Sequence, residues 1–297
     1  MDVVFQRNPT LNKLVYGARS RHRISLPNRL IHCSAMAPPK NHLSGNLELE
    51  PKLTTRGSPV LNDPTLKSTW PQRAWVAGGC TTVLISLAKS VFAAEASHIW
   101  LEPILAGLIG YVLADLASGV YHWGIDNYGS SGTPVFGVQI EGFQGHHKWP
   151  WVITRRQFAN NLHSLAKGTI FTVLPINFIC DDPTIMGFVS VCSGCIMFSQ
   201  QFHAWAHSTK SKLPPLVVAL QDAGVLVSRS QHAAHHRTPY NNNYCIVSGI
   251  WNEILDESRL FEALEMAIFF KFGVRPRSWT EPNSDVPKEA ETTSLAP

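Results

Sequence analysis

Residues 74–94 read AWVAGGCTTVLISLAKSVFAA, and residues 99–121 read IWLEPILAGLIGYVLADLASGVY. Each run has about 20 residues, the length that a helix needs to cross the hydrocarbon core of a bilayer. The first run carries only Lys89 as a charged residue, and the second carries only Glu102 and Asp115. The two runs predict a pair of membrane-spanning helices. The alternative is that they form the core of a soluble helical protein.

Four more apolar segments follow along the chain. Residues 168–180 form a shorter run, whereas residues 184–202 again reach spanning length. Residues 214–227 include Gln221 and Asp222, which suits a half-buried, re-entrant or short spanning segment. Residues 260–272 are amphipathic and predict a helix along the membrane interface. No alternation typical of strands appears, so the sequence predicts an all-α integral membrane helical bundle over residues 73–280.

The composition supports a lipid-facing surface. Hydrophobic residues make up 44% of the chain and charged residues 15%, against roughly 25% charged residues in ordinary soluble domains. The net charge of +4 comes without a basic stripe interleaved with aromatic residues, which excludes a nucleic-acid partner. Six cysteines in a chain of this length do not make a disulfide framework and indicate reduced thiols.

The N-terminal segment, residues 1–47, has the composition of an organelle transit peptide. Its only acidic residue is Asp2, it contains seven Lys and Arg residues, and no apolar run is long enough for a secretory signal. Residues 31–35 suit a processing site. The composition alone does not distinguish plastid from mitochondrion, and a basic tail that stays attached is the alternative.

Two further segments are predicted to lie outside the folded domain. Residues 48–72 are rich in Pro, Leu and Thr without periodicity, which predicts a disordered linker. Residues 281–297 are polar and predict a disordered tail.

Nine of the thirteen histidines fall between residues 115 and 237, and their spacing predicts a metal site. His203 and His207 lie four residues apart, which places both imidazoles on one helix face directly after an apolar run. His232, His235 and His236 repeat this pattern, because the first can meet either of the other two on one face. Such clusters beside apolar segments favour shared metal binding over isolated structural histidines.

Five other residues extend the set of candidate ligands. His146 and His147 are adjacent, and helix neighbours point about 100° apart, so this pair suits two different metal ions or a loop. His122 and Asp126 lie four residues apart and offer one nitrogen and one carboxylate oxygen on a shared face. His163 is the least regular candidate.

The number and type of ligands favour two iron ions. Eight or more imidazoles exceed a four-coordinate zinc site, and the zinc-protease pattern H-E-x-x-H is absent from the sequence. Haem needs one or two axial histidines, and a transporter is expected to show an internal repeat. Nitrogen-rich ligation without thiolates fits iron poised for dioxygen chemistry.

The sequence motifs around these histidines resemble those of the Kua-type lipid desaturases. The resemblance covers residues 62–285 and lies in DLASGVYHWGIDNYG (115–129), FQGHHKWP (143–150), HAWAH (203–207) and SQHAAHHR (230–237). The transit-like start, PWVITRR (150–156) and NNNYC (241–245) make the chain most similar to the plastid fatty acid desaturase 4 group and its paralogues.

The resemblance implies a function and a ligand set that spacing does not show. It implies two ferrous ions, dioxygen as co-substrate, ferredoxin as electron donor and a multi-pass position in a chloroplast membrane. The substrate of that group is palmitate at the sn-2 position of phosphatidylglycerol, which receives a trans double bond at carbon 3. The implied metal ligands are His122, Asp126, His146, His147, His163, His203, His207, His232, His235 and His236. The alternatives are an acyl-lipid hydroxylase and a non-catalytic metal-binding membrane paralogue.

Metal-bound imidazoles need acceptors for their second ring nitrogen. The candidates from the sequence are Asp115, Asp222, Asn161 and Asn252. Helix capping or ordinary packing polarity is the alternative role for each of these four residues.

Overall fold

The computed structural model describes residues 63–280, which form helices and connecting loops without a strand. The α-helices are α1 (Trp70–Ser97), α2 (Leu101–Asn127), α3 (Gly137–His146), α4 (Phe158–Ile179), α5 (Pro183–Ala206), α6 (Pro215–Asp222), α7 (Arg229–His235), α8 (Asn252–Glu257) and α9 (Leu260–Phe272). Short 3₁₀ helices cover Pro64–Leu66, Pro150–Arg155, Lys210–Lys212 and Arg277–Trp279. The all-α prediction is confirmed.

Two of the long helices, α1 and α5, begin where the sequence supplies a side-chain cap. The Thr69 side chain accepts from the Gln72 amide, and the Gln72 side chain accepts from the Thr69 amide, which closes a capping box at the start of α1. Asp182 accepts from the Ile185 amide at 2.8 Å and starts α5 in the same way. Each cap satisfies backbone donors that the first helical turn leaves free.

The four long helices form two hairpins with very short links. Residues 98–100 join α1 to α2, and residues 180–182 join α4 to α5. The starts of α1 and α4 are tied together, because the Ser68 amide donates to Gln157 Oε1 at 2.8 Å. The C-terminal ends of α2 and α5 therefore return to the same end of the bundle, and the candidate metal ligands lie there.

Small residues hold the helices of the bundle close together. A Cβ on Gly110 of α2 would lie 2.8 Å from the Phe188 carbonyl oxygen of α5, and one on Gly187 would lie 2.6 Å from the Pro103 carbonyl oxygen. Such close backbone approach is typical of helix packing in membranes. Between α1 and α4, Ser86 Oγ donates to Asn177 Oδ1 at 2.7 Å, so this buried polar pair is satisfied.

Large apolar side chains point away from the bundle. Phe92, Leu108, Phe171 and Phe178 are 73%, 56%, 71% and 79% exposed. Four helices, α1, α2, α4 and α5, are long and apolar enough to cross a membrane. Small and polar residues inside with bulky apolar residues outside are what a lipid-facing bundle requires.

The structure corrects the predicted start of the third apolar segment. That segment was predicted to be a short run over residues 168–180, but α4 begins at Phe158 and is long enough to span. Its first turn contains Asn160 and Asn161, and these polar residues lower the local hydropathy below that of an apolar run. Both amides are used: Asn160 Nδ2 donates to the Thr65 carbonyl at 2.9 Å, and Asn161 Nδ2 to the Gln200 carbonyl at 2.9 Å.

The predicted disordered linker, residues 48–72, is wrong for its last part. Residues 63–69 are held by the start of α4, as when the Gln157 amide donates to the Leu66 carbonyl at 2.9 Å, and α1 already begins at Trp70. The predicted transit peptide (1–47), the rest of that linker and the tail (281–297) lie outside the described residues.

The two remaining apolar segments form short helices. Within residues 214–227 only α6 is helical, and its eight residues are too few to cross a bilayer. The predicted interfacial segment at residues 260–272 is a helix, α9.

Candidate metal centre

The C-terminal end of α2 supplies one imidazole and one carboxylate. His122 and Asp126 lie four residues apart and therefore share a helix face. His122 Nε2 lies 3.2 Å from Asp126 Oδ2, and both side chains are almost fully buried. A buried carboxylate without a paired cation is costly, so this pair requires a partner of positive charge.

The C-terminal end of α5 supplies two more imidazoles. His203 is buried in the last turn of the helix, and His207 follows directly as its cap residue. Their Nε2 atoms lie 3.3 Å apart. The predicted sharing of one face by these two rings is what the structure shows.

Helix α7 brings three histidines to the same place. It is short, and a capping box between Ser228 and Gln231 fixes its start. His232 and His236 face one direction, with Nε2 atoms 3.2 Å apart. His235 faces another direction, with Nε2 3.3 Å from the Oδ2 atom of Asp126.

The end of α3 sends two neighbouring imidazoles in different directions. His146 Nε2 lies 2.8 Å from His207 Nε2, whereas His147 Nε2 lies 3.0 Å from His235 Nε2. His147 Nε2 also lies 3.4 Å from Asp126 Oδ2. The two rings therefore lie in different groups of side chains, and that they serve two different ions stays a prediction.

Nine of the ten predicted ligands thus fall into two groups, in each of which the ligand atoms lie within 4.8 Å of one another. The five-histidine group consists of His146, His203, His207, His232 and His236. The aspartate group consists of His122, Asp126, His147 and His235.

Both groups fit a bound metal ion. Cis ligands on a metal with bonds of about 2.1 Å lie about 3 Å apart, and the nearest nitrogen pairs here lie 2.8 to 3.3 Å apart. Both carboxylate oxygens of Asp126 and Nε2 of His122 are buried and have no hydrogen-bond partner. Because buried polar atoms are almost always satisfied, these orphaned atoms point to a cation between them.

Two rings of the aspartate group are oriented by main-chain carbonyls. His122 Nδ1 lies 2.9 Å from the Tyr244 carbonyl oxygen, and His235 Nδ1 lies 2.7 Å from the Asn242 carbonyl oxygen. A carbonyl only accepts, so each Nδ1 carries the proton and each Nε2 keeps a free lone pair. That is the tautomer that a metal ligand requires.

The four side chains predicted as ring acceptors have other partners. Asp222 pairs with Lys210, Asn161 bonds to the α5 backbone, and Asn252 bonds to the main chain of Cys245. Asp115 accepts from main-chain amides. The prediction is wrong for all four, and the two rings of the aspartate group with a partner at Nδ1 are oriented by main-chain carbonyls instead. The only feature of the sequence that pointed to these carbonyls was the motif NNNYC at 241–245, which contains Asn242 and Tyr244.

Burial keeps two imidazoles outside the long helices neutral, His147 and His207. It lowers the pKa of His147 to about 3, an effect that the Asp126 carboxylate only partly opposes. It also lowers the pKa of His207 to about 3, with neighbouring histidines adding to the shift. Both rings are therefore uncharged near neutral pH and have a lone pair to donate to a metal.

His163 does not join either group. It lies in α4, where its Nδ1 lies 2.8 Å from the Asn160 carbonyl oxygen and its Nε2 lies 3.4 Å from Ser164 Oγ. Its prediction as a ligand is corrected, because its ligand atoms are not among those that come together in either group.

Phe143 and Tyr121 border the site beside the aspartate group. The Phe143 ring meets the His122 ring edge-on with centroids 5.1 Å apart, and it lies 6.2 Å from the Tyr121 ring. Tyr121 is 37% exposed on the outer face of α2. Phe143 and Tyr121 therefore form an apolar wall beside His122.

Comparison with known proteins gives matches over most of the chain. Residues 111–279 match the model of the lipid desaturase domain. The chain is 69% identical to the Arabidopsis thaliana protein "Fatty acid desaturase 4, chloroplastic" over 226 residues, which cover 76% of this chain and 70% of that protein. It is 56% identical to "Fatty acid desaturase 4-like 2, chloroplastic" of the same plant, over 95% of this chain and 99% of that protein.

A more distant relative comes from a bacterium. The chain is 32% identical to the Myxococcus xanthus protein "Plasmanylethanolamine desaturase", over 65% of this chain and 69% of that protein. No solved structure matches the chain. The matched region, residues 111–279, contains all nine residues of the two groups.

Proposed function

The chain belongs to the lipid desaturase family, and from this premise we propose that it uses two iron ions to insert a double bond into the acyl chain of a membrane lipid. It is an oxidoreductase of the fatty acid desaturase class. The observation that carries the two-iron proposal is the pair of converging ligand groups at one end of the helical bundle.

The five-histidine group would hold one iron ion and the aspartate group the other. Imidazole and carboxylate ligands without thiolates suit ferrous iron. Bound iron supplies the power to reduce dioxygen and to remove hydrogen from unactivated carbon. In the overall reaction the acyl chain loses two hydrogen atoms. Dioxygen accepts these two hydrogen atoms, two electrons from an external donor and two protons, and is reduced to two water molecules.

The chain's own residues prepare this chemistry. The carbonyls of Tyr244 and Asn242 hold His122 and His235 in the ligand tautomer, and Asp126 offsets positive charge in a buried site. The apolar wall of Phe143 and Tyr121 limits water and offers a surface along which an acyl chain can approach.

We propose palmitate on phosphatidylglycerol as the substrate, with a trans double bond formed at carbon 3. The support is the 69% identity to a chloroplast fatty acid desaturase 4 and the bulky apolar exterior of the four long helices. The same similarity and the four long apolar helices support a multi-pass position in a chloroplast membrane, and for that location we propose ferredoxin as the electron donor.

The test is expression in a plastid or cyanobacterial host whose phosphatidylglycerol lacks the trans-3 bond. Acyl chains are analysed by mass spectrometry for the wild type, His203→Ala, His235→Ala and the control His163→Ala. We expect the product with the wild type and the control and none with the other two variants. A hydroxylated acyl chain would identify an acyl-lipid hydroxylase, and no product would favour a non-catalytic metal-binding protein.

A further inference from the structure

Asp115 is a buried carboxylate in the middle of α2, and main-chain amides of a distant segment surround it. Its Oδ1 accepts from the amides of Val247 at 3.1 Å, Ser248 at 2.8 Å and Gly249 at 3.0 Å. Its Oδ2 accepts from the Trp251 amide at 3.3 Å. Bonds from several amides to one carboxylate are charge-assisted and stronger than bonds between neutral groups.

The segment that Asp115 binds, residues 241–251, is called here the anchored loop. A second residue of α2 also holds it, because the Ile246 amide donates to Ser118 Oγ at 3.0 Å. A Cβ at Gly119 would overlap Cys245 Sγ and lie 3.3 Å from the Cys245 nitrogen, so the loop packs closely on α2 at this glycine. The loop therefore packs against the face of α2 that also carries His122.

The same loop orients two metal-ligand candidates. Its Tyr244 carbonyl accepts from His122 Nδ1 at 2.9 Å, and its Asn242 carbonyl accepts from His235 Nδ1 at 2.7 Å. Both rings belong to the aspartate group. Among the described hydrogen bonds, the loop makes none to a ring of the five-histidine group.

We infer that Asp115 is a positioning residue that sets the geometry of the aspartate group through the anchored loop without touching a ligand. Asp115 lies seven residues before His122, which is two helical turns or about 10 Å along α2. Four amides on one carboxylate fix the loop backbone, and the backbone fixes the two carbonyls. The inference rests on the proposed metal centre.

The role predicts an effect on one ion and not on the other. If Asp115 only stabilised the fold, its loss would weaken both ions alike or lower the unfolding temperature alone. Outer partners of metal ligands typically contribute 10- to 100-fold in metal affinity. Loss of Asp115 disturbs two such partners at once, so we expect about a tenfold or larger effect on the aspartate group alone.

The experiment is a cobalt titration of the metal-free protein in detergent micelles, followed by the visible absorption of bound Co²⁺. The variant is Asp115→Asn, whose amide cannot accept all four main-chain bonds. The matched control is Asp222→Asn, which breaks an exposed pair with Lys210. Hydrogen exchange of the loop amides is measured on the same samples.

We expect wild type and Asp222→Asn to bind two ions. In Asp115→Asn one ion should bind about tenfold or more weakly, the other should be unchanged, and residues 246–251 should exchange faster. Unchanged binding of both ions, or equal weakening of both, overturns the inference. Failure of the wild type to bind two ions overturns the proposed metal centre instead.

If Asp115→Asn does not fold, the variant Ser118→Ala tests the inferred positioning role of the anchored loop. It removes a single anchor of the loop, the acceptor of the Ile246 amide, and leaves the Asp115 carboxylate in place. We expect a smaller, few-fold loss of affinity for the same single ion, together with faster exchange of the Ile246 amide. Faster exchange with both affinities unchanged overturns the inference.

Discussion

His146 and His147 are joined by one peptide bond, yet their Nε2 atoms belong to different ligand groups. His146 Nε2 lies 2.8 Å from His207 Nε2, and His147 Nε2 lies 3.0 Å from His235 Nε2. The end of α3 thus links the five-histidine group to the aspartate group. A movement of this helix end would shift a ligand of each ion at once.

We expect single substitutions of these neighbours to weaken the binding of different ions, and the aspartate group to be the more sensitive of the two. His146→Ala takes one of five ligands from the first group, and His147→Ala one of four from the second, where fewer ligands remain. The measurement is iron per chain by inductively coupled plasma mass spectrometry after gel filtration. We expect His147→Ala to retain about one iron and His146→Ala to retain more, with His163→Ala unchanged from wild type. Equal loss in His147→Ala and His163→Ala would contradict the assignment.

Asp126→Asn should lower desaturase activity strongly without a large change in shape. Three imidazole Nε2 atoms lie 3.2 to 3.4 Å from Asp126 Oδ2, so the carboxylate is central to its group. We expect at least about a 100-fold loss of product formation, at the upper end of the effects seen for residues around a metal. Activity within twofold of wild type would show that Asp126 is not a ligand.

The metal-free protein should lose stability as the pH falls. Burial lowers the pKa of His147 and of His207 to about 3, while an unfolded histidine has a pKa of about 6.5. The unfolded state therefore binds more protons below pH 6.5, and stability decreases from there towards pH 3. Between pH 7 and pH 5 each of these histidines should cost about 2 kcal/mol of unfolding free energy.

The measurement is chemical unfolding of the metal-free protein in micelles at several pH values. The double variant His147→Gln/His207→Gln should show a smaller pH dependence than the wild type, because two of the titrating groups are gone. An equal or steeper slope in the variant would contradict the prediction.

Close packing of α2 on α5 should tolerate no side chain at Gly187. A Cβ there would lie 2.6 Å from the Pro103 carbonyl oxygen, which is rigid backbone. Gly187→Ala should therefore reduce stability by about 1–3 kcal/mol, as overpacking does. Gly168→Ala is the control, because nothing lies within 4 Å of its added Cβ. Thermal unfolding in micelles compares the two variants, and equal melting temperatures would argue against tight packing here.

Much of the bundle was predictable because apolar length is a direct consequence of the bilayer. The runs at residues 74–94, 99–121 and 184–202 lie within α1, α2 and α5, apart from the first residues of the second run. Helix α4 was underestimated, since Asn160 and Asn161 look like loop residues until their partners on other segments are known.

The candidate ligands were predictable from their spacing along the sequence. The groups that accept a hydrogen bond from the second ring nitrogen were not. A spacing of four residues places side chains on one helix face, which requires no tertiary information. His232 and His235, three residues apart, belong to different groups. His163 shows the limit of that reasoning, since a histidine near the others in sequence can still bond to its own helix. The carbonyls of Tyr244 and Asn242 are main-chain groups, and only the path of the anchored loop places them beside the rings.

The identity of the metal can be tested by removing the bound ions with a chelator and adding back iron or zinc. Chelation is expected to abolish desaturation, because the two ligand groups would then lack the iron that activates dioxygen. Ferrous iron should restore the activity, whereas zinc should bind to the imidazoles and leave the protein inactive, since zinc has no redox chemistry. Recovery of activity with zinc would exclude an iron-dependent reaction.

The most direct measurement is the number and identity of the metal ions in purified protein that actively desaturates lipid. Two converging ligand groups lead us to expect two irons per chain, with activity proportional to iron content up to that number. Fully active protein that contains no metal, or a single zinc ion, would contradict the account.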